Sequence, residues 1–292
     1  PDPQRPIVAD WGAASHRSHG GAAALFNANT YLMVSGSTGG YFGLGAEGNA
    51  LPHTWSLSIE EQFYLVFPAF IALGWALGKR WGLDQQRLVG AVLASLVAFS
   101  FLLSWLLTNE HLNPSGLGAK IAFYSAPTRA WEFAAGGLLV LMIGRRVPGG
   151  PRLATVGASA GVALLFFAAI VFSEATQFPG VAALVPVAGA MLLLTAGSDP
   201  DSNVLSHMLG SRLMRKIGDI SYSWYLWHWP LIVFAAALFP GVAAAKIVAA
   251  ALSLVPSWLS YHLVENPIRH RRDPPPRRTV TLAALCVLAP LL

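Results

Sequence analysis

Charge is scarce in this chain: Asp, Glu, Lys and Arg make up 11% of its 292 residues, where a soluble domain carries roughly 25%. That leaves too little polar surface for a soluble enzyme. Cysteine is scarcer still. The single Cys286 cannot form an internal disulfide, a CxxC redox pair or a thiolate zinc site, so sulfur chemistry is excluded. No GxxxxGKS phosphate loop, GxGxxG opening a helix, HExxH pair or carboxylate-rich calcium loop occurs, which removes the markers of ATP-driven transport and zinc hydrolysis. Neither an internal repeat nor a low-complexity tract interrupts the sequence. The chemistry therefore falls to oxygen and nitrogen side chains, with no metal and no resident cofactor expected. The net charge of +5 does not call for nucleic acid, because basic inner loops alone give membrane proteins this balance.

What the chain has instead is apolar length: 54% of its residues are hydrophobic and its mean hydropathy is +0.53. Runs near 56–78, 87–108, 121–143, 153–173, 180–197, 218–239 and 242–263 are each close to the roughly twenty residues that cross a bilayer. The expected architecture is all-α, a polytopic transmembrane bundle of about seven complete spans plus a truncated one. Residues 1–55 are expected to form an extracytoplasmic segment with a short interfacial or re-entrant helix over Gly21 to Ser35, interrupted by Asn27 and Asn29. Residues 56–278 form the transmembrane core, and 279–292 start a further, truncated helix. The opening at Pro1, without methionine or leader, reads as a piece of a longer chain. Basic residues gather on alternate loops: Lys79, Arg80 and Arg87; Arg145, Arg146 and Arg152; Arg212, Arg215 and Lys216; and Arg269, Arg271, Arg272, Arg277 and Arg278. These loops are predicted to be cytoplasmic.

Four polar constellations interrupt the apolar runs. His53-Thr54-Trp55-Ser56-Leu57-Ser58-Ile59-Glu60-Glu61-Gln62-Phe63-Tyr64 carries two adjacent carboxylates into the outer part of a span. A helix starting at Phe63 would leave them as first-turn residues, whereas one starting at Ser56 turns at least one inward, with Glu60, Tyr64 and Phe67 on one face. In Pro127-Thr128-Arg129-Ala130-Trp131-Glu132, Arg129 and Glu132 stand at i, i+3. They form either a self-contained ion pair or an anion contact through Arg129. Gly218 to Pro230 places Ser221, Tyr225 and His228 on one face, so that His228 either packs as a neutral ring or handles protons. At the end of the last complete run, Glu265 is expected to pair with Arg269 at i+4. The basic stretch beyond it suits lipid headgroups or an anionic cytosolic donor such as a nucleotide thioester.

Together, His53 to Tyr64, Phe123-Tyr124 with Pro127 to Glu132, Ile220 to Pro230 and Val264-Glu265-Asn266-Pro267-Ile268-Arg269 closely resemble, in order, the motifs of the membrane acyltransferase family 3, the O-acetylases of cell-surface polysaccharides. Asn27 to Tyr31 and Gly40-Tyr41-Phe42 resemble its approach to the first motif. The resemblance implies an integral membrane enzyme that moves an acyl group, usually acetyl, from cytoplasmic acetyl-CoA or another acyl-CoA to a hydroxyl of a cell-surface glycan. It implies supporting catalytic roles for Glu60, Glu61 and His228. It places His53, Trp55, Ser56, Tyr64, Arg129, Glu132, Tyr222, Tyr225, Glu265 and Arg269 in substrate binding. Partners on this view are the acyl-CoA, the glycan acceptor and the lipid bilayer, with an SGNH-type domain in longer chains. The family's first helices carry an arginine, a histidine regarded as catalytic, a Gly-Val-Asp segment and an RxxR, and none precedes Pro1; His16 and Arg17 lack the helical setting to replace them. Residues 1–292 alone are therefore expected to be inactive. A secondary transporter or glycolipid flippase would also use intramembrane Glu, Arg and His, and a repeat of paired discontinuous helices would favour it.

Overall fold

The helix boundaries follow from local chemistry. In the computed structural model, which describes residues 20–34, 50–111, 117–143, 150–173, 175–198 and 204–270, a short helix α1 (Ala28–Val34) precedes α2 (Thr54–Trp81). Gly82, at φ +66°, ends α2 in the left-handed conformation that glycine adopts without a Cβ penalty, and Leu83 N–H donates back to the Gly78 carbonyl at 3.0 Å. Asp84 then caps α3 (Gln85–Thr108), its carboxylate accepting from Arg87 N–H at 2.8 Å. There follow α4 (Leu117–Tyr124), α5 (Ala126–Ile143), α6 (Gly150–Val171), α7 (Leu184–Ala196), α8 (Val204–Leu209), α9 (Arg212–Leu238), α10 (Ala243–Leu252) and α11 (Leu254–Ser260). A π-turn (Tyr261–Glu265) leads into α12 (Asn266–Arg269).

The described residues contain no strand, in keeping with the all-α class. Among the described residues, four helices are long and apolar enough to cross a membrane: α2, α3, α6 and the continuous run Ala243–Arg269. The chain is a multi-pass membrane protein, and the expectation of about seven complete spans is corrected to these four. The shortfall has local causes. The apolar run near 121–143 is divided at Ser125 into α4 and α5, and α5 opens with Arg129 and Glu132. The run near 180–197 begins in turns, leaving α7 only 13 residues. Although α9 has 27 residues, it starts with Arg212, Arg215, Lys216 and Asp219 and carries a polar aromatic stripe to His228. The truncated run from 279, and His16, Arg17, Gly40, Tyr41, Phe42, Arg145, Arg146, Arg271, Arg272, Arg277 and Arg278, lie outside the described residues.

The chain divides into two compact units, Pro1–Ser58 with Lys216–Leu292, and Ile59–Arg215, the boundaries falling within α2 and α9. In the second unit the helices approach through missing side chains. A Cβ on Gly74 would stand 2.6 Å from Val89 Cα, and one on Gly78 would stand 2.8 Å from Gln85 Cα. Gly161 of α6 and Gly189 of α7 meet in the same way, each ideal Cβ lying 3.0 Å or less from the other's carbonyl oxygen. Beside them, Ala154, Ala158 and Ala196 form a small core against Leu193 and Leu205. Such small-residue contacts recover dispersion where lipid supplies no hydrophobic drive.

Hydroxyls hold the first unit. Trp224 Nε1 donates to Ser253 Oγ at 2.9 Å, and Trp227 Nε1 to Ser260 Oγ at 2.8 Å. Ser257 Oγ, fully buried, donates to the Ser253 carbonyl at 2.6 Å. The α1 helix docks on the first turn of α2, where Ser58 Oγ accepts from Ala28 N–H at 3.2 Å while donating to the Thr54 carbonyl at 3.1 Å. In an apolar medium, bonds of this kind both satisfy and orient the helices.

Candidate functional sites

In the first unit the site is built where the residue before α2 meets the middle of α9. His53 is 1% exposed, and its ring centroid lies 5.4 Å from that of Tyr225 and 5.8 Å from that of His228, the two imidazoles set edge to face at 75°. The Tyr225 hydroxyl donates to the His53 carbonyl at 2.6 Å and lies 2.5 Å from Ser56 Oγ. Ser56 Oγ also donates to that carbonyl at 3.3 Å, so the two hydroxyls and the His53 carbonyl form one hydrogen-bonded cluster. His228 Nδ1 sits 2.8 Å from the Tyr225 carbonyl and 3.2 Å from that of Trp224. Carbonyls only accept, so Nδ1 carries a proton and Nε2 is the nitrogen left to exchange one.

Neither ring nitrogen of His53 has a hydrogen-bond partner among the described residues. Burial pushes this imidazole down from 6.5 to about 4; the nearby His228 adds to the shift, and the Leu226 backbone, close but outside hydrogen-bond geometry, opposes it least. His53 is thus neutral at ordinary pH. One turn back along α9, Ser223 Oγ donates to Glu265 Oε2 at 2.9 Å.

In the second unit the constellation around Arg129 is set by how α5 begins. Thr128, fully buried, directs its hydroxyl at the carbonyls of Ala122 and Ser125, both at 2.7 Å, which stitches the end of α4 to the start of α5. Ser100 of α3, also fully buried, accepts from Trp131 N–H at 3.0 Å and donates to the Pro127 carbonyl at 2.6 Å. Its hydroxyl therefore bridges the two backbone groups that an ideal helix would pair with each other. On the turn held this way, Arg129 Nη2 meets Glu132 Oε2 at 3.1 Å. The guanidinium carbon lies 5.2 Å from the Phe178 ring centroid and 5.9 Å from that of Phe123, within range of attraction to both π faces. Separately, Tyr64 donates to Glu60 Oε1 at 2.7 Å on an exposed face of α2.

The structure therefore brings His53, Ser56, Tyr225 and His228 together, and Trp55 beside them on the first turn of α2 is buried. Arg129 joins Glu132, and Glu60 joins Tyr64, as their spacing implied. Since α2 starts at Thr54, Glu60 and Glu61 lie two turns into it, half-buried, and are not first-turn residues.

One expected pairing is corrected. Glu265 makes no ion pair with Arg269 among the described residues; its carboxylate takes the Ser223 hydroxyl of α9 instead. Ser221, exposed on α9, donates its hydroxyl to the Gly218 carbonyl at 2.7 Å. Tyr222 is 44% exposed and Arg269 is exposed, so neither is drawn into these clusters. Sequence reasoning passed over Ser100, Thr128, Phe178 and the serines facing the α9 tryptophans. The only signal available was small hydroxyls recurring inside apolar helices.

Residues 14–262 match the family described as "Acyltransferase domain". The peptidoglycan O-acetyltransferase OatA of Listeria monocytogenes is 29% identical over 240 residues, 78% of this chain and 37% of the relative. A candidate membrane-bound transacylase, BcsY of Komagataeibacter xylinus, is 33% identical over 251 residues, 85% of this chain and 58% of the relative. The O-acetyltransferase OatA of Staphylococcus aureus is 25% identical over 259 residues, 85% of this chain and 41% of the relative. The chain thus spans 37% to 58% of the length of these relatives. No solved structure matches it.

Proposed function

Because the chain belongs to the acyltransferase domain family, we propose that it moves an acyl group, acetyl by analogy with its O-acetyltransferase relatives, from a cytoplasmic acyl-CoA to a hydroxyl of a cell-surface glycan. In that reaction a C–O bond forms at the acyl carbon and the C–S bond of the thioester breaks. The acceptor's hydroxyl proton passes to a base, and the departing thiolate ends protonated. No redox step or metal is required, only a base, an anion contact and a water-poor path.

The observation that carries this reading is the contact of His228 Nδ1 with two backbone carbonyls, at 2.8 and 3.2 Å. The Nδ1 proton is engaged by these carbonyls, which leaves Nε2 able to take a proton. We assign supporting acid–base roles to His228, Glu60 and Glu61, in a reaction whose catalytic histidine the resemblance places in the helices that precede this segment in the family. Arg129, positioned by Glu132, suits a phosphate or carboxylate of a substrate. The basic residues at and beyond Arg269 suit the donor's phosphates, with Glu265 on the adjoining turn. His53, Trp55, Ser56, Tyr64, Tyr222 and Tyr225 complete the proposed substrate contacts.

The test uses membranes from cells expressing the full-length gene product, supplied with acetyl-labelled acetyl-CoA and glycan acceptor. H228Q and E60Q are expected to lower transfer by at least about 10²-fold, the lower end for loss of an acid–base group, with membrane abundance unchanged. Unaltered transfer in H228Q, E60Q, E61Q and R129K together removes the site assignment.

A further inference from the structure

A neutral imidazole always presents one N–H and one lone pair, and burying either without a partner costs about 1–3 kcal/mol. His53 buries both. Such a defect is uncommon in a folded protein and calls for a reason. Packing alone does not supply it, because an apolar side chain would fill the same space without the penalty. The backbone around His53 is meanwhile over-determined: its carbonyl is clamped by the Tyr225 hydroxyl, and Tyr225 is held in turn by Ser56. The ring is thus fixed against α9 with its polar atoms unspent.

The polar ring opposite it is His228, 5.8 Å away. Tyr225, 5.4 Å from His53 and 5.5 Å from His228 between centroids, is the other titratable group at the pair. Among the described residues no carboxylate, lysine or arginine forms an ion pair or hydrogen bond with either imidazole. A cation on one ring therefore acts on the other at short range, with no ion pair to either ring to offset it.

We propose that His53 and His228 work as one acid–base unit holding a single exchangeable proton, in which His53 is a positioning residue that keeps the second proton off the pair. The exchanging atom is Nε2 of His228, since its Nδ1 proton is tied to the α9 backbone. When Nε2 takes a proton, His53 stays neutral and turns its lone pair toward the cation. When Nε2 gives the proton up, the pair returns to two neutral rings. The inference rests on the acyl-transfer reading only for the use made of that proton.

The test is histidine-selective ¹⁵N NMR of the full-length protein in bilayers, with H53Q and H228Q assigning the two rings. In the wild type, His53 is expected to remain neutral at every pH at which His228 is charged above about 5. In H228Q its midpoint is expected to move up by about one pH unit, the coupling at which two sites titrate as a pair. A midpoint that stays where it was, or two rings charged together at pH 6, overturns the proposal. Should H53Q fail to accumulate, H228Q alone decides the question, because His228 is only half-buried. In the transfer assay, H53Q/H228Q is expected to lose no more activity than the worse single variant, whereas multiplying losses refute a shared unit. Wild-type membranes that transfer no acetyl at all would sink the proposed function and leave the titration result standing.

Discussion

The two units close their helices by different chemistry. Ile59–Arg215 uses absent side chains, Gly74 against Val89 and Gly161 against Gly189. The unit containing Lys216–Leu292 uses hydroxyls and indoles, Trp224 to Ser253 and Trp227 to Ser260. Their ionisable groups differ as well. Arg129 and Glu132 meet in an ion pair at 3.1 Å that leaves Glu132 Oε1 without a hydrogen bond, whereas His53 has no counter-charge and keeps two unpartnered nitrogens beside His228. An ion pair holds a helix terminus in place. An unsatisfied ring is where a proton or a ligand has work left to do.

The largest expected effect breaks the ion pair. R129A leaves the Glu132 carboxylate buried without its counter-charge and is expected to cost about 3–5 kcal/mol, read as lost thermal stability in detergent; R129A/E132A should recover a good part of it. Next comes the glycine contact of the same unit. G161L drives side-chain atoms into the Gly189 carbonyl, 2.8 Å from the first added carbon. It is expected to cost about 3 kcal/mol, the upper end for overpacking, because the obstacle is backbone.

In the hydroxyl-rich unit, His53 makes stability depend on pH. Its folded value of about 4 lies below the ordinary 6.5, so between these values the unfolded chain binds more protons and stability falls as pH falls. Between pH 7 and pH 5 the loss should be about 2 kcal/mol, measured as a falling melting temperature in detergent, and H53Q should flatten it. The smallest effect is S253A, which removes the acceptor of Trp224. It is expected to cost about 0.6 kcal/mol, the average for interhelical hydrogen bonds in membranes. A cost several times larger would mean that the hydroxyl contacts carry the unit more than the comparison allows.

Local spacing made some of this legible in the sequence. Arg129 and Glu132 are three residues apart, Glu60 and Tyr64 four, and a helix places such pairs side by side; both contacts form. The early start of α2 was legible as one of two alternatives, and Thr54 is its first residue. What spacing could not give is anything set by a distant partner or an irregular turn. Tyr225 meets the His53 carbonyl across 172 positions. Glu265 takes the Ser223 hydroxyl across 42 positions in place of Arg269. The span count exceeded the structure because apolar runs were read as unbroken helices. Ser125 splits one of them, and turns before Leu184 shorten another.

The most direct test of the account is vectorial transfer in oriented vesicles carrying the full-length protein, with acetyl-CoA confined to the cytoplasmic face and a glycan acceptor to the other. The account predicts alkali-labile acetyl ester on the glycan, formed in step with CoA release and lost in H228Q. Ester formation that is unchanged in H228Q, or passage of an unmodified glycan precursor without any ester, would contradict it.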